Sequence, residues 1–383
     1  MARLLILCEY PTLSGGERSM FATLDGVARA GFDVSVMAPP EGPLAEACSE
    51  RHIPIVAFSP VVAQGARPSL AQRRELLAGH LAQLQPDLLH ANSLAMGRLA
   101  GPVAAELRTP SVAHLRDIIR LRAQAIGDLN RNSRLLAVSE AVRRFHVAAG
   151  LSGDKTFVLH NGVDLGQFCP RPPTGYLHRE LGIPAGAPLI GSIGQIGLRK
   201  AQEVLFDAAI RLDASTEPGG TADLPSSVAS SEPHWLVVGE RWSDKPESRR
   251  FEQRLHEMAR QIPGRVHFLG ARGDVPRLLN ELTLLVHAAR QEPLGRVLLE
   301  AAASGTPVVA TDVGGTVEIF APGSARLVPP DDPAALAGAI AEALAGRESR
   351  LAMAAAARRR AEERFDAAQA TAGLVEHYRA LTE

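Results

Sequence analysis

Short apolar, β-branched runs alternate with longer helical stretches along the whole chain, and this alternation restricts the fold more than any other feature. Leu4–Cys8, Val34–Ala38, Leu88–His90, Val112–Leu115, Leu135–Ser139 and Phe157–His160 read as buried strands. Between several of them lie segments of helical periodicity, such as Ser19–Ala30 and Leu70–Leu84. Strands separated in this way form a parallel sheet covered by helices on both faces. The Pro-rich stretch CPRPPTG, Cys169–Gly175, reads as a hinge, and then the pattern restarts with Leu189–Ile193, Trp235–Val238, Val266–Leu269, Leu284–His287 and Val308–Thr311. An α/β protein of two Rossmann-like, doubly wound domains facing a central cleft is expected, with ligands at the carboxyl ends of the strands. The expected division is 1–168 and 169–365. A terminal helix at about 366–383, with the apolar set Leu374, Val375, Tyr378 and Leu381, is expected to pack back on the first domain. Residues 213–233, rich in Ser, Gly, Pro and Ala, read as a mobile insertion.

The 383 residues are 46% apolar and 22% charged, which suits a soluble globular protein of two or three domains. A net charge of −1 gives no reason to expect broad nucleic-acid binding. Cys8, Cys48 and Cys169 form neither a disulfide framework nor a metal spacing, which favours a reducing compartment. The apolar part of MARLLILCEYP is too short for a signal peptide and reads as a first buried strand. No run approaches the ~18 apolar residues of a membrane span. A cytoplasmic protein is therefore expected. Arg116, Arg120 and Arg122 in HLRDIIRLRAQ leave room for peripheral association with the inner face of a membrane, or for a phosphorylated or lipid-linked acceptor. The ordinary reading of such a cluster is a solvated helix face.

The stretch EPLGRVLLE carries two carboxylates, Glu292 and Glu300, eight residues apart. On one helix they would stand about 80° apart around the axis and about 12 Å apart along it, too far to share a proton or a metal. Pro293 suits a first helical position. Glu292 would then lie in the loop before the helix, Glu300 two turns in, and the amides of Leu294, Gly295, Arg296 and Val297 between them. A helix start of this kind favours an anion. A ligand with a sugar at one end, a phosphate in the middle and a second polyol beyond it suits that spacing.

Six further motifs occur in order along nearly the whole chain. They are GGE at Gly15–Glu17, AHLRD at Ala113–Asp117, AVSEAVRR at Ala137–Arg144, HNGVDLGQF at His160–Phe168, GQIGLRKAQE at Gly194–Glu203 and VVGE at Val237–Glu240. With EPLGRVLLEAAASGTPVVATDVGG from Glu292, they make the chain resemble a family 4 retaining glycosyltransferase of the GT-B fold. The resemblance implies transfer of a hexose from a nucleotide-diphosphate sugar to an acceptor (glycan, lipid-linked saccharide or small molecule), with retention of anomeric configuration and closure of the domains about the hinge. It implies no bound cofactor and no metal. The implied catalytic residues are Glu292 at the donor hexose, His114 at the reacting region and Lys200 at the diphosphate. The implied donor-binding set is Glu300 at the ribose, Arg199, Gln195, Gly15, Gly16, Leu294, Gly295, Arg296 and Val297. Three features depart from the family pattern. Gln195 stands where an arginine is usual, Ala201 replaces the glycine after the lysine, and Glu17 follows the second glycine directly.

Each residue also has an ordinary reading. A helical glutamate is usually solvated, but Leu298, Leu299, Ala301 and Ala302 around Glu300 indicate an inward helix, where an unpaired carboxylate is costly. A lysine at a helix start is usually surface charge, yet it opposes the helix dipole unless an anion binds there. Gly15-Gly16 and Gly314-Gly315 could be tight turns only. A lone histidine such as His114 is more often structural, and Asp117 could orient it. Asn161-Gly162 reads as a turn, Ser139 as a helix cap and Asp332-Pro333 as a helix start with no metal role. The lack of a G-x-G-x-x-G signature weakens a dinucleotide reading. The alternatives are a non-catalytic nucleotide-sugar-binding subunit and, less favoured, an epimerase or phosphorylase.

Overall fold

The computed structural model describes residues 1–59, 68–216 and 232–383. The chain divides into two compact units, one of residues 1–162 with 365–383 and one of residues 163–364. The division thus falls at 162/163 and 364/365, where the sequence suggested 168/169 and 365/366.

The first unit runs β1 (Ala2–Leu7), α1 (Gly15–Arg29), β2 (Phe32–Ala38), α2 (Pro43–Glu50), β3 (Ile55–Ala57), α3 (Leu70–Leu84), β4 (Leu88–Ala91), α4 (Leu94–Glu106), β5 (Ser111–Leu115), α5 (Ala123–Asn130), β6 (Arg134–Ala137), α6 (Glu140–Ala148) and β7 (Thr156–Val158). The second runs α7 (Tyr176–Leu181), β8 (Leu189–Ile193), α8 (Gln202–Thr216), β9 (His234–Val238), α9 (Pro246–Ala259), β10 (Val266–Phe268), α10 (Val275–Glu281), β11 (Leu284–His287), α11 (Arg296–Ser304), β12 (Val308–Thr311), α12 (Thr316–Ile319), β13 (Arg326–Val328), α13 (Pro333–Ala345) and α14 (Arg347–Arg364). The last helix, α15 (Ala367–Thr382), belongs to the first unit.

Both sheets are parallel and doubly wound, as the alternation predicts. Their orders are β3-β2-β1-β4-β5-β6-β7 and β10-β9-β8-β11-β12-β13. Every residue of β4, β5, β9, β11 and β12 is buried, which is what covering both faces requires. The strand order reverses between β1 and β4 in the first sheet and between β8 and β11 in the second. Such a reversal opens a crevice beyond the strand ends, where ligands of doubly wound sheets bind.

Four expectations need amendment. β3 and β13, each a three-residue edge strand that is only partly buried, gave no signal, whereas the equally short edge strands β7 and β10 did. Helix α1 begins at Gly15, four residues before the periodic stretch. Of the expected insertion, residues 213–216 continue α8, 232–233 lead into β9, and 217–231 lie outside the described residues. The Pro-rich segment is tied to α10. The Glu281 carboxylate accepts from the Thr174 amide at 2.6 Å, the Thr174 hydroxyl at 2.7 Å and the Gly175 amide at 2.8 Å. Caps occur where the sequence placed them, with Ser139 accepting from the Val142 amide and Asp332 from the Ala335 amide. Leu374, Val375 and Tyr378 of α15 join the first unit's core beside Leu4, Ile6, Val27, Phe32 and Val36. Among the described residues no helix is long and apolar enough to cross a membrane.

Candidate functional site

In the second unit the switch point brings together the loop after β8 and the loop after β11. The first carries Arg199 and Lys200, the second Glu292. Lys200 Nζ lies 2.5 Å from Glu292 Oε2, and Arg199 Nη1 is 3.8 Å from Oε1 of the same carboxylate. His287, the last residue of β11, approaches Oε2 with Nε2 at 2.7 Å. Only a donor can make that bond to an ionised carboxylate, so His287 carries its proton on Nε2. Its 3.5 Å distance to Lys200 Nζ is then a contact between two donors. Burial pushes the Glu292 carboxyl up, but Lys200, His287 and Arg199 outweigh burial and hold it well below the usual carboxylate range. Burial and then the Lys200 charge push His287 down against the pull of Glu292, so the imidazole is neutral at neutral pH. The cluster therefore carries two cations and one anion, a net +1 that suits an anionic ligand.

Backbone geometry holds these loops. Gly194 has φ +145 and Gly239 φ +133, and a Cβ on Gly239 would stand 2.0 Å from the Gly194 carbonyl oxygen. Ala201 takes φ +51, in the left-handed region glycine favours, and is fully buried. The departure from the family glycine therefore keeps the glycine-like backbone at a cost of about 1 kcal/mol. Arg290 fastens the lysine loop. Its amide donates to the Arg199 carbonyl at 2.9 Å, and Nη1 donates to the Leu198 carbonyl at 2.8 Å. The same guanidinium pairs with Glu203 and Asp331, each at 2.7 Å. Gln195 is exposed, and its carbonyl accepts from Gln202 Nε2 at 2.9 Å.

The helix after Glu292 starts later than Pro293 suggested. Gly295, at φ +98, is the N-cap of α11, and Arg296 is its first residue. Pro293 and Leu294 therefore belong to the loop, and of the four expected amides only those of Arg296 and Val297 lie in the first helical turn. Glu300 sits one turn into α11, not two. It is 8% exposed and accepts from Arg296 Nε at 2.6 Å. The Gly-Gly pair has a packing role here. Gly314 takes φ +53, and a Cβ on Gly315 would lie 2.4 Å from the Pro293 carbonyl oxygen. The Gly315 amide donates to the Glu292 carbonyl at 2.8 Å. Gly315 thus holds the loop that carries Glu292.

In the first unit the switch point lies between β1 and β4. Gly15 and Gly16 form no separate turn; they are the first two residues of α1. Ser14 and Glu17 close a capping box around them, with the Ser14 amide donating to Glu17 Oε2 at 3.1 Å. This capping explains why the glutamate directly follows the glycines. Only Gly16 has a close neighbour, Arg116 Cδ at 3.2 Å from a would-be Cβ. Arg116 spans the strand ends. Nε donates to the Asn92 carbonyl at 3.1 Å, Nη2 to Asn92 Oδ1 at 2.9 Å and Nη1 to Asn161 Oδ1 at 2.9 Å. Asn161 is therefore more than a turn residue.

His114 is buried at the end of β5. Its Nδ1 lies 3.2 Å from Arg116 Nη2 and 3.3 Å from His90 Nε2, and His90 Nδ1 lies 2.5 Å from the Tyr378 hydroxyl. Asp117 does not orient it. The Asp117 side chain is exposed, and its carbonyl accepts from His146 Nε2. Burial, then the Arg116 charge, then His90, hold His114 well below the ordinary histidine range. Burial and Arg116 push His90 down to about 3. These groups line a cavity of about 20 Å³ together with Met20, Asn161 and Gly162. Arg120 and Arg122 are exposed. Among the described residues no group of three or more His, Cys, Asp or Glu side chains is placed to hold a metal ion.

Sequence reasoning missed His287, Arg290, His90, Asn92 and Tyr378. For the two histidines the available signal was a polar residue at or next to the end of an apolar strand, as in LLVH and LLHA.

The model of the glycosyl transferases group 1 family matches residues 176–360, and that of glycosyltransferase family 4 matches residues 13–167. A D-inositol 3-phosphate glycosyltransferase of Corynebacterium urealyticum is 32% identical over 262 residues, 65% of this chain and 57% of that protein. The chain thus spans little more than half the length of that relative. A phosphatidyl-myo-inositol mannosyltransferase of Mycolicibacterium smegmatis is 28% identical over 367 residues, 88% of this chain and 83% of that protein. A crystal structure of Anabaena HepE in complex with UDP-glucose has a TM-score of 0.83 at 23% identity, covering 99% of this chain and 100% of that one. That last likeness is one of fold.

Proposed function

The chain belongs to glycosyltransferase family 4, and on that premise we propose that it transfers a hexose from a nucleoside-diphosphate sugar to an acceptor with retention at the anomeric carbon. The observation that carries this reading is the net-positive cluster of Lys200, Arg199, Glu292 and His287 at the switch point of the second sheet. In the reaction, the bond from the anomeric carbon to the diphosphate breaks and the nucleoside diphosphate leaves with the electron pair. A bond to the acceptor oxygen forms, and the acceptor hydroxyl gives its proton to the departing diphosphate oxygen.

Lys200 and Arg199 face the charge that builds on the leaving diphosphate. Each such donor contributes on the order of 10²–10³ in rate. Glu292, held ionised, stands where it can accept from hexose hydroxyls and face the positive charge at the anomeric carbon. Glu300, steadied by Arg296, accepts from the ribose. His114, Gly15 and Gly16 take the catalytic and donor-binding roles that the family resemblance implies. The reading includes no metal and no bound cofactor. The acceptor is a glycan, a lipid-linked saccharide or a small molecule, and a lipid-linked one would bring the protein to a membrane surface.

The test is thermal shift against UDP, ADP, GDP and UDP-glucose for wild type, Lys200→Gln and Glu300→Ala. A ligand at a hundred times its Kd adds about 2.7 kcal/mol of stability. A nucleotide that raises the wild-type midpoint and neither variant's supports the reading. No shift with any of the four at millimolar concentration sinks it. Release of nucleoside diphosphate only with an added acceptor then separates a transferase from a binding subunit and an epimerase, and a requirement for inorganic phosphate would indicate a phosphorylase.

A further inference from the structure

Donor and acceptor chemistry gives the side chains around His114 an orientation. A guanidinium has donors and no acceptor. Arg116 Nη2, 3.2 Å from His114 Nδ1, therefore makes that nitrogen an acceptor and places the His114 proton on Nε2. His90 Nε2, 3.3 Å from the same Nδ1, must then donate, which leaves His90 Nδ1 as an acceptor. The Tyr378 hydroxyl, 2.5 Å away, must donate to it. The direction runs from Tyr378 through His90 to His114. It ends at His114 Nε2, which is buried and has no hydrogen-bond partner among the described residues.

A buried N–H without a partner costs about 1–3 kcal/mol, and native structures rarely keep one without a use. The rings are also fixed by packing. His90 and His114 stack with centroids 5.4 Å apart, and Tyr378 meets both Phe32 and His90 edge-on. The adjoining cavity of about 20 Å³ has room for roughly one water-sized group, such as a hydroxyl oxygen.

We propose that Tyr378 and His90 are positioning residues that hold His114 as a fixed Nε2–H donor to an oxygen of the bound sugar. His114 then cannot take a proton at Nε2 and does not serve there as a general base. The C-terminal helix α15 is thereby part of the site's machinery as well as of the core, because it carries the hydroxyl that starts the chain. The inference rests on the reading of His114 as part of a nucleotide-sugar site. The tautomers are tested separately from that reading.

The experiment is imidazole ¹⁵N NMR of the full chain labelled at histidine, with His90→Gln and His114→Gln to assign the signals, alongside nucleoside diphosphate release from the sugar donor of the base that stabilises wild type, with the acceptor that supports its turnover. Wild type should show both residues as Nε2–H tautomers. Tyr378→Phe keeps the ring packing and should move the His90 signals toward a mixture. It should also lower kcat about tenfold with KM within about threefold. His90→Leu should lose more rate than His90→Gln, whose amide can still donate to His114. A wild-type His114 protonated on Nδ1 overturns the proposal, as does a Tyr378→Phe variant with unchanged His90 signals, or with changed signals and unchanged kcat. If wild type binds none of UDP, ADP, GDP and UDP-glucose while the tautomers are as stated, the site reading fails and His114 has no sugar to serve.

Discussion

Lys200 and Glu292 lie 92 residues apart in the chain and form a 2.5 Å ion pair whose side chains are 15% and 7% exposed. The pair exists because β8 and β11 are neighbours at the point where the sheet order reverses, so the loops leaving them meet. Removing one member strands the other in a poorly solvated place. Lys200→Met should therefore destabilise the chain by about 3 kcal/mol, and Glu292→Gln by a similar amount. The double variant should recover about 2 kcal/mol of the sum. Urea denaturation of the four proteins checks this. A coupling below about 0.5 kcal/mol would mean that the two charges are solvated independently. Both single variants should also lose at least about a hundredfold in donor turnover.

The buried histidines set a pH dependence of known sign. His90, His114 and His287 are all held below the ordinary histidine value, so the unfolded chain takes up protons that the folded chain refuses. Their stabilising contribution is complete above about pH 6.5 and is lost as the pH falls toward the folded values. For His90, pushed down to about 3, the loss at pH 5 is about 2 kcal/mol. Glu292, also held low, adds a loss of the same sign only below the ordinary carboxylate range. The urea midpoint should fall steadily between pH 6.5 and pH 5. A flat midpoint over that interval would show that these imidazoles charge freely in the folded protein.

Much of the fold was legible because strands buried on both faces leave continuous apolar runs, as in VVAT of β12 and HWLVV of β9. The short edge strands β3 and β13 escaped, although β7 and β10, equally short and partly buried, were read. Spacing and motif pointed to Glu292, Lys200 and Glu300 as candidates, of which the structure pairs the first two, while their partners gave no such signal. His287 ends an apolar strand and looks like part of it. Tyr378 and His90 are 288 residues apart, and no local pattern joins them. Pro293 gave a misleading helix start because a proline at the first helical position is common, whereas the cap is Gly295 at φ +98. Gly295 can adopt that conformation without strain, and a Cβ there would lie 2.7 Å from Leu298 Cδ1.

Gly315 offers the most local control over Glu292. An added methyl would lie 2.4 Å from the Pro293 carbonyl oxygen and 2.7 Å from Leu294 Cα, both backbone atoms that cannot rotate away. The Pro293–Leu294 loop would have to move, and the Gly315 amide bond to the Glu292 carbonyl would stretch with it. Gly315→Ala should cost about 2–3 kcal/mol of stability. It should reduce donor turnover at least tenfold by displacing the carboxylate about 1 Å. Gly338 in α13 is the matched control, since a Cβ there meets nothing within 4 Å. Gly338→Ala should stabilise the helix by about 0.5–1 kcal/mol and leave turnover unchanged. Thermal melts and acceptor-dependent nucleoside diphosphate release on the two variants decide the matter. Unchanged turnover in a folded Gly315→Ala would mean that the position of the Glu292 loop does not limit the reaction.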